Sequence, residues 1–99
     1  MSLTVEDQLA IQQLYAKYNH YIDSGKAADW AACFTADGVF NSGQGTFTGT
    51  EALTGFVNGF AQQLKARHWT NNLIIEGDGD KATGTCYLNL LALQPGKPA

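Results

Sequence analysis

The chain has 99 residues, 44% hydrophobic and 15% charged, with a net charge of −3, which describes one globular domain and excludes a disordered segment. Six Lys and Arg are too few and too scattered for a basic footprint, so neither nucleic acid nor an anionic membrane surface is an expected partner. No apolar run is long enough to span a bilayer, and Met1 to Asp7 lacks signal-peptide character, so the expected location is cytoplasmic.

Thr4 to Asp23 reads as a long helix. Thr4 caps it, with Asp7 three residues on. Ile11, Leu14, Tyr15, Tyr18, Tyr21 and Ile22 form its apolar stripe, and Gly25 ends it. Ala27 to Phe34 reads as a short second helix that buries Trp30, Cys33 and Phe34. Val39 and Phe40 begin a short strand. Asn41 to Gly45 is a loop, and Thr46 to Thr48 pairs back. Thr50 is expected to cap a third helix carrying Leu53, Phe56, Val57, Phe60, Ala61 and Leu64 on one face. Gly55 and Gly59 lie off that stripe, where a close backbone contact would explain them.

His68 to Glu76 and Lys81 to Leu93 read as the arms of a hairpin turning at Asp78-Gly79. The expected pairs are Glu76 with Lys81, Ile74 with Thr83, Asn72 with Thr85, Thr70 with Tyr87 and His68 with Asn89. Strict alternation puts His68, Thr70, Asn72, Ile74 and Tyr87 on one face. It puts Trp69, Leu73, Ile75, Cys86, Leu88 and Leu90 on the other. The domain is expected to end at residue 93, with 94–99 a flexible tail. Cys33 and Cys86 form no metal-spaced pair and read as two buried thiols, with a disulfide as the alternative. His20 falls opposite the apolar stripe and reads as solvated. No metal-ligand spacing and no phosphate loop is present, and no cofactor is expected.

This order of elements resembles the SnoaL-like branch of the nuclear-transport-factor-2-like superfamily, an α+β cone of three helices on a curved, mainly antiparallel sheet. Asp7, Ile11, Leu14, Tyr18 and Asp23 are similar to its first-helix pattern. Trp30, Phe34, Asp37 and Gly38 resemble its second segment, and Gly49 to Ala52 its third-helix opening. Arg67-His68, Asn72, Ile74 and Tyr87-Leu88 resemble its long strands. The resemblance implies two further strands, so a chain ending near Leu93 is expected to be a shortened form with an open sheet edge.

Scytalone-dehydratase-like members bring a strand histidine and a first-helix aspartate together in a pocket. The matching residues are His68 and Asp23. The resemblance implies that His68 takes a proton while Asp23 orients it. Asn72 would offer an amide, and Tyr15, Tyr18 or Tyr21 would hold a water or substrate oxygen. Tyr15, Tyr18, Trp30, Phe34, Phe56, Asn72 and Tyr87 would line the pocket. The branch's second histidine has no counterpart in Leu90-Leu91-Ala92, which counts against dehydration itself. The expected activity is cofactor-independent acid–base chemistry on a small, cyclic, apolar molecule. The alternative is a non-catalytic binding or oligomerisation module in which His68, Asp23 and the tyrosines are structural.

The alternation and the resemblance disagree about which sheet face meets the helices. A homodimer or higher homo-oligomer through Trp69, Leu73, Ile75 and Leu88 would reconcile them. A β-bulge that flips the register would weaken that expectation.

Overall fold

A computed structural model describes residues 2–63 and 65–93. Helix α1 spans Val5–Asp23. Thr4 and Asp7 close a full capping box: the Asp7 N–H donates to Thr4 Oγ1 at 3.0 Å and the Thr4 N–H to Asp7 Oδ2 at 3.4 Å. Helix α2 covers only Ala27–Ala31, shorter than expected, so Cys33 and Phe34 follow it in a turn.

Strands β1 (Val39–Ser42) and β2 (Gly45–Thr48) form a tight antiparallel hairpin. Its turn is Gly43-Gln44, not a five-residue loop. The Gln44 N–H donates to Ser42 Oγ at 3.1 Å, which tightens it. Helix α3 spans Thr50–Gln63. Thr50 is its first residue rather than its cap. The cap position falls to Gly49, at φ 87°, whose carbonyl accepts from the Leu53 N–H at 3.0 Å. Leu64, the last residue of the expected stripe, and residues 94–99 lie outside the described residues.

The core is the meeting point of the three helices. Ile22, Ala27, Trp30, Ala31, Leu53 and Val57 are buried, with Tyr18, Tyr21, Phe34, Phe40, Phe47, Phe56 and Phe60 packed against them. Gly55 and Gly59 take no part. Both are exposed, and a Cβ at either meets nothing within 4 Å, so among the described residues the expected close contact is absent. The Gly55→Ala, Gly59→Ala double variant should therefore gain about 1–2 kcal/mol through helix propensity alone. Urea unfolding checks it: an unchanged or lower midpoint would reveal an unseen packing role.

Strands β3 (Lys65–Asp78) and β4 (Lys81–Leu93) form the long antiparallel hairpin. Among the described residues it is a sheet of its own, separate from β1–β2. Asp78 pairs with Lys81, so Gly79-Asp80 is the turn. Gly79 stands at φ 66° in the first central position, as a type II′ turn requires. The expected register was displaced: Thr70 pairs with Leu88 and His68 with Leu90.

The larger correction is a bulge. Asn71 pairs with Tyr87, and Ile74 with Thr85, so one extra residue of β3 sits between those pairs. Asn72 takes a left-handed φ of 55°, which asparagine tolerates better than most residues. An extra residue inverts the alternation beyond it. Ala66, His68 and Thr70 before the bulge therefore share a face with Leu73 and Ile75 after it. Facing α1 at the far end of this row is Gly84, the partner of Ile75. A Cβ on Gly84 would overlap the Tyr15 phenol, so the glycine makes room for the helix. The expected interface set is thereby divided. Leu73 and Ile75 are half-buried on the helix side, and Leu88, beside Thr70, shares that face. Trp69, at 59% exposure, points the other way with Ile74 and Tyr87.

Candidate active site

Asp23 is the last residue of α1, and its carboxylate meets the nearby edge of β3. His68 Nδ1 lies 2.6 Å from Asp23 Oδ1, and the His68 backbone N–H reaches both carboxylate oxygens at 3.1 Å. The two side chains are 10% and 13% exposed. An ionised carboxylate only accepts, so the ring proton belongs on Nδ1. In the neutral ring the second nitrogen, Nε2, then keeps its lone pair. Asp23 also satisfies an edge N–H that, among the described residues, no strand takes.

His68 borders a cavity of about 660 Å³ that Asp23 does not border. The wall is largely aromatic: Tyr15, Tyr18, Phe34, Phe40, Phe56 and Phe60, with Leu14, Ile22 and Leu88 between them. Polar atoms come from His68, Asn19 and Thr70 on one side and from Ser42 and Gln44 of the β1–β2 turn on another. Burial pushes the Tyr18 phenol up to about 12, opposed by the Trp30 indole, so Tyr18 is neutral at physiological pH. Burial likewise raises Tyr15, with a smaller contribution from Cys86. The Trp30 N–H stands near Tyr18 without closing a hydrogen bond of good geometry.

Of the expected lining residues, Tyr15, Tyr18, Phe34 and Phe56 border the cavity. Three do not. Trp30 is fully buried beneath the wall, where α1, α2 and α3 close over it. Asn72 spends its backbone on the bulge and faces a second groove between α1 and β3, which His20, Asp23 and Arg67 line and which shares Tyr15, Asn19, His68 and Thr70 with the cavity. Tyr87 lies on the outer face, 68% exposed. Tyr21 packs into the core instead. Cys33 and Cys86 are free, half-buried and at the cavity wall, not deep in the core; burial raises the Cys33 thiol. Phe40, Phe60, Asn19, Thr70 and the Ser42–Gln44 turn were missed. The aromatic i, i+4 pair Phe56 and Phe60 was the available signal for one of them. Among the described residues no group of three or more His, Cys, Asp or Glu could hold a metal. No helix there is long and apolar enough to cross a membrane.

Residues 3–99 match the SnoaL-like domain. The chain belongs to the SnoaL-like family. Two of its solved neighbours are described with a cystatin-like fold, one of them as NTF2-like. One, from Nostoc punctiforme and of unknown function, is 30% identical with a TM-score of 0.85, over 91% of this chain and 69% of its own. An NTF2-like protein from Novosphingobium aromaticivorans is 26% identical with a TM-score of 0.86, over 94% and 64%. A protein from Catenulispora acidiphila, solved in complex with S-DNPA, is 32% identical with a TM-score of 0.71, over 83% and 63%. The SnoaL-like chain described here thus spans roughly two thirds of the length of these structures. No curated protein matched it.

Proposed function

We propose that this SnoaL-like domain binds a small, cyclic, mostly apolar molecule in the aromatic cavity and that His68 acts on it as a general base. The observation that carries the reading is the 2.6 Å contact between His68 Nδ1 and Asp23. It holds the imidazole in the tautomer whose Nε2 can accept a proton, on a side chain that borders the cavity. A largely apolar wall strengthens such electrostatics by lowering the local dielectric. The reaction class is proton abstraction next to an electron-withdrawing group, as in isomerase, cyclase or lyase chemistry. The complex of the Catenulispora acidiphila relative with S-DNPA supports ligand binding by this frame.

A second reading has its own support. Asp23 also holds the His68 backbone N–H, so the pair could serve only to fasten β3 to α1 in a binding module. Ring opening of 5-nitrobenzisoxazole, a flat aromatic probe that needs only a placed base, separates the two. The parent should open the probe faster than free imidazole at equal concentration. His68→Ala should lose at least about a hundredfold, the lower end for a positioned base. If the parent binds the probe yet matches free imidazole, or His68→Ala matches the parent, the base assignment is wrong.

A further inference from the structure

Thr70 stands two residues beyond His68 on the same face of β3 and borders the same cavity. That spacing separates the two side chains by about 7 Å, the repeat of one strand face. A threonine hydroxyl offers two lone pairs and one proton. Asn19 of α1 donates from Nδ2 to Thr70 Oγ1 at 3.1 Å, a contact 51 residues apart in sequence. An amide N–H can only donate, so this bond occupies a lone pair and leaves the hydroxyl proton unspent. Among the described residues nothing else takes that proton.

We propose that Thr70 is a catalytic donor that holds the substrate oxygen on which negative charge develops, and that Asn19 is the positioning residue turning its O–H into the cavity. The inference rests on the reading of His68 as the base. The two groups then divide the work: Nε2 removes a proton at one end of the reacting unit, and the Thr70 hydroxyl meets charge at the other. With the benzisoxazole probe, His68 takes the ring C–H proton and that electron pair completes the nitrile. The N–O bond breaks, and its electrons go to the phenolate oxygen, to which Thr70 donates.

Four variants test the pair on that probe, with kcat followed across pH and folding followed by urea unfolding. Thr70→Val keeps shape and removes the donor, so kcat should fall at least about tenfold, toward the loss known for single oxyanion donors. Thr70→Ser should retain most of it. Asn19→Asp reverses polarity: the new carboxylate accepts the Thr70 proton, so the kcat plateau should drop as far as in Thr70→Val although Thr70 is intact. Asn19→Leu merely frees the hydroxyl to rotate and should lose less. A structural crosslink predicts the opposite order, with Asn19→Leu worst in stability and Thr70→Val harmless to kcat. Parental kcat in both Thr70→Val and Asn19→Asp overturns the inference; if Asn19→Asp fails to fold, Thr70→Val against Thr70→Ser decides. Where His68→Ala is slow and these variants are not, only this inference fails. Where His68→Ala is also parental, the base reading fails with it.

Discussion

Trp30→Ala should cost about 3–5 kcal/mol, the range for deleting a fully buried large aromatic. Trp30 is 0% exposed. Its ring centroid lies 5.4 Å from Tyr18, 4.8 Å from Phe34, 5.3 Å from Phe40 and 5.8 Å from Phe56. Those partners come from α1, the turn after α2, β1 and α3, so one side chain joins four segments. A domain of this size has roughly 5–15 kcal/mol in total, which leaves the alanine variant close to its unfolding threshold. Trp30→Phe is expected to behave differently. Phenylalanine refills most of the space and removes an indole N–H that has no hydrogen-bond partner of good geometry among the described residues. The orphaned donor costs about 1–3 kcal/mol where it stands, so its loss offsets much of the missing ring, and the net cost should stay below about 1.5 kcal/mol. Urea unfolding of both variants is the measurement. An alanine variant within about 1 kcal/mol of the parent would place the core elsewhere.

Asp23→Asn should nearly abolish turnover of the benzisoxazole probe while leaving most of the fold intact. The parental carboxylate receives the His68 ring N–H and its backbone N–H together. An amide of the same shape has one accepting oxygen and one donating nitrogen. If its oxygen keeps the backbone N–H, its NH₂ meets Nδ1 and drives the ring proton to Nε2. The nitrogen assigned as the base is then already protonated. Losing orientation and tautomer in this way should lower kcat by about 10²–10⁴-fold. Asp23→Ala removes every acceptor and should also cost about 2 kcal/mol, because a largely buried backbone N–H and ring nitrogen lose their partner. Turnover by Asp23→Asn within about threefold of the parent would show that tautomer control is not what Asp23 supplies.

The helices were legible because a helix repeats its buried face locally. Ile22, Leu53 and Val57 could be assigned to the core from spacing, and they are buried. The meeting of Asp23 and His68 was not a matter of spacing. They lie 45 residues apart, and only likeness to a family pattern connected them. The cavity wall was half legible for a related reason. Aromatic side chains on α1 and α3 could be placed by helical period. Phe40, Thr70 and the Ser42–Gln44 turn could not, since no local rule says which loop or strand face closes over a helix.

By itself the sequence determined the helical faces, both hairpins, the α+β class and the residue types available for acid–base chemistry, because each depends on periods of two or 3.6 or on turn chemistry within a few residues. Only the tertiary structure decided which sheet face meets the helices. A single residue, Asn72, enters the left-handed region and inverts the alternation. That inversion lets polar His68 and Thr70 and apolar Leu73 and Ile75 share one surface, and it leaves Trp69, Ile74 and Tyr87 outside. Extended residues alternate whether or not a bulge intervenes, so its position follows from how β3 packs against α1 and β4 and not from the order of side chains along the strand.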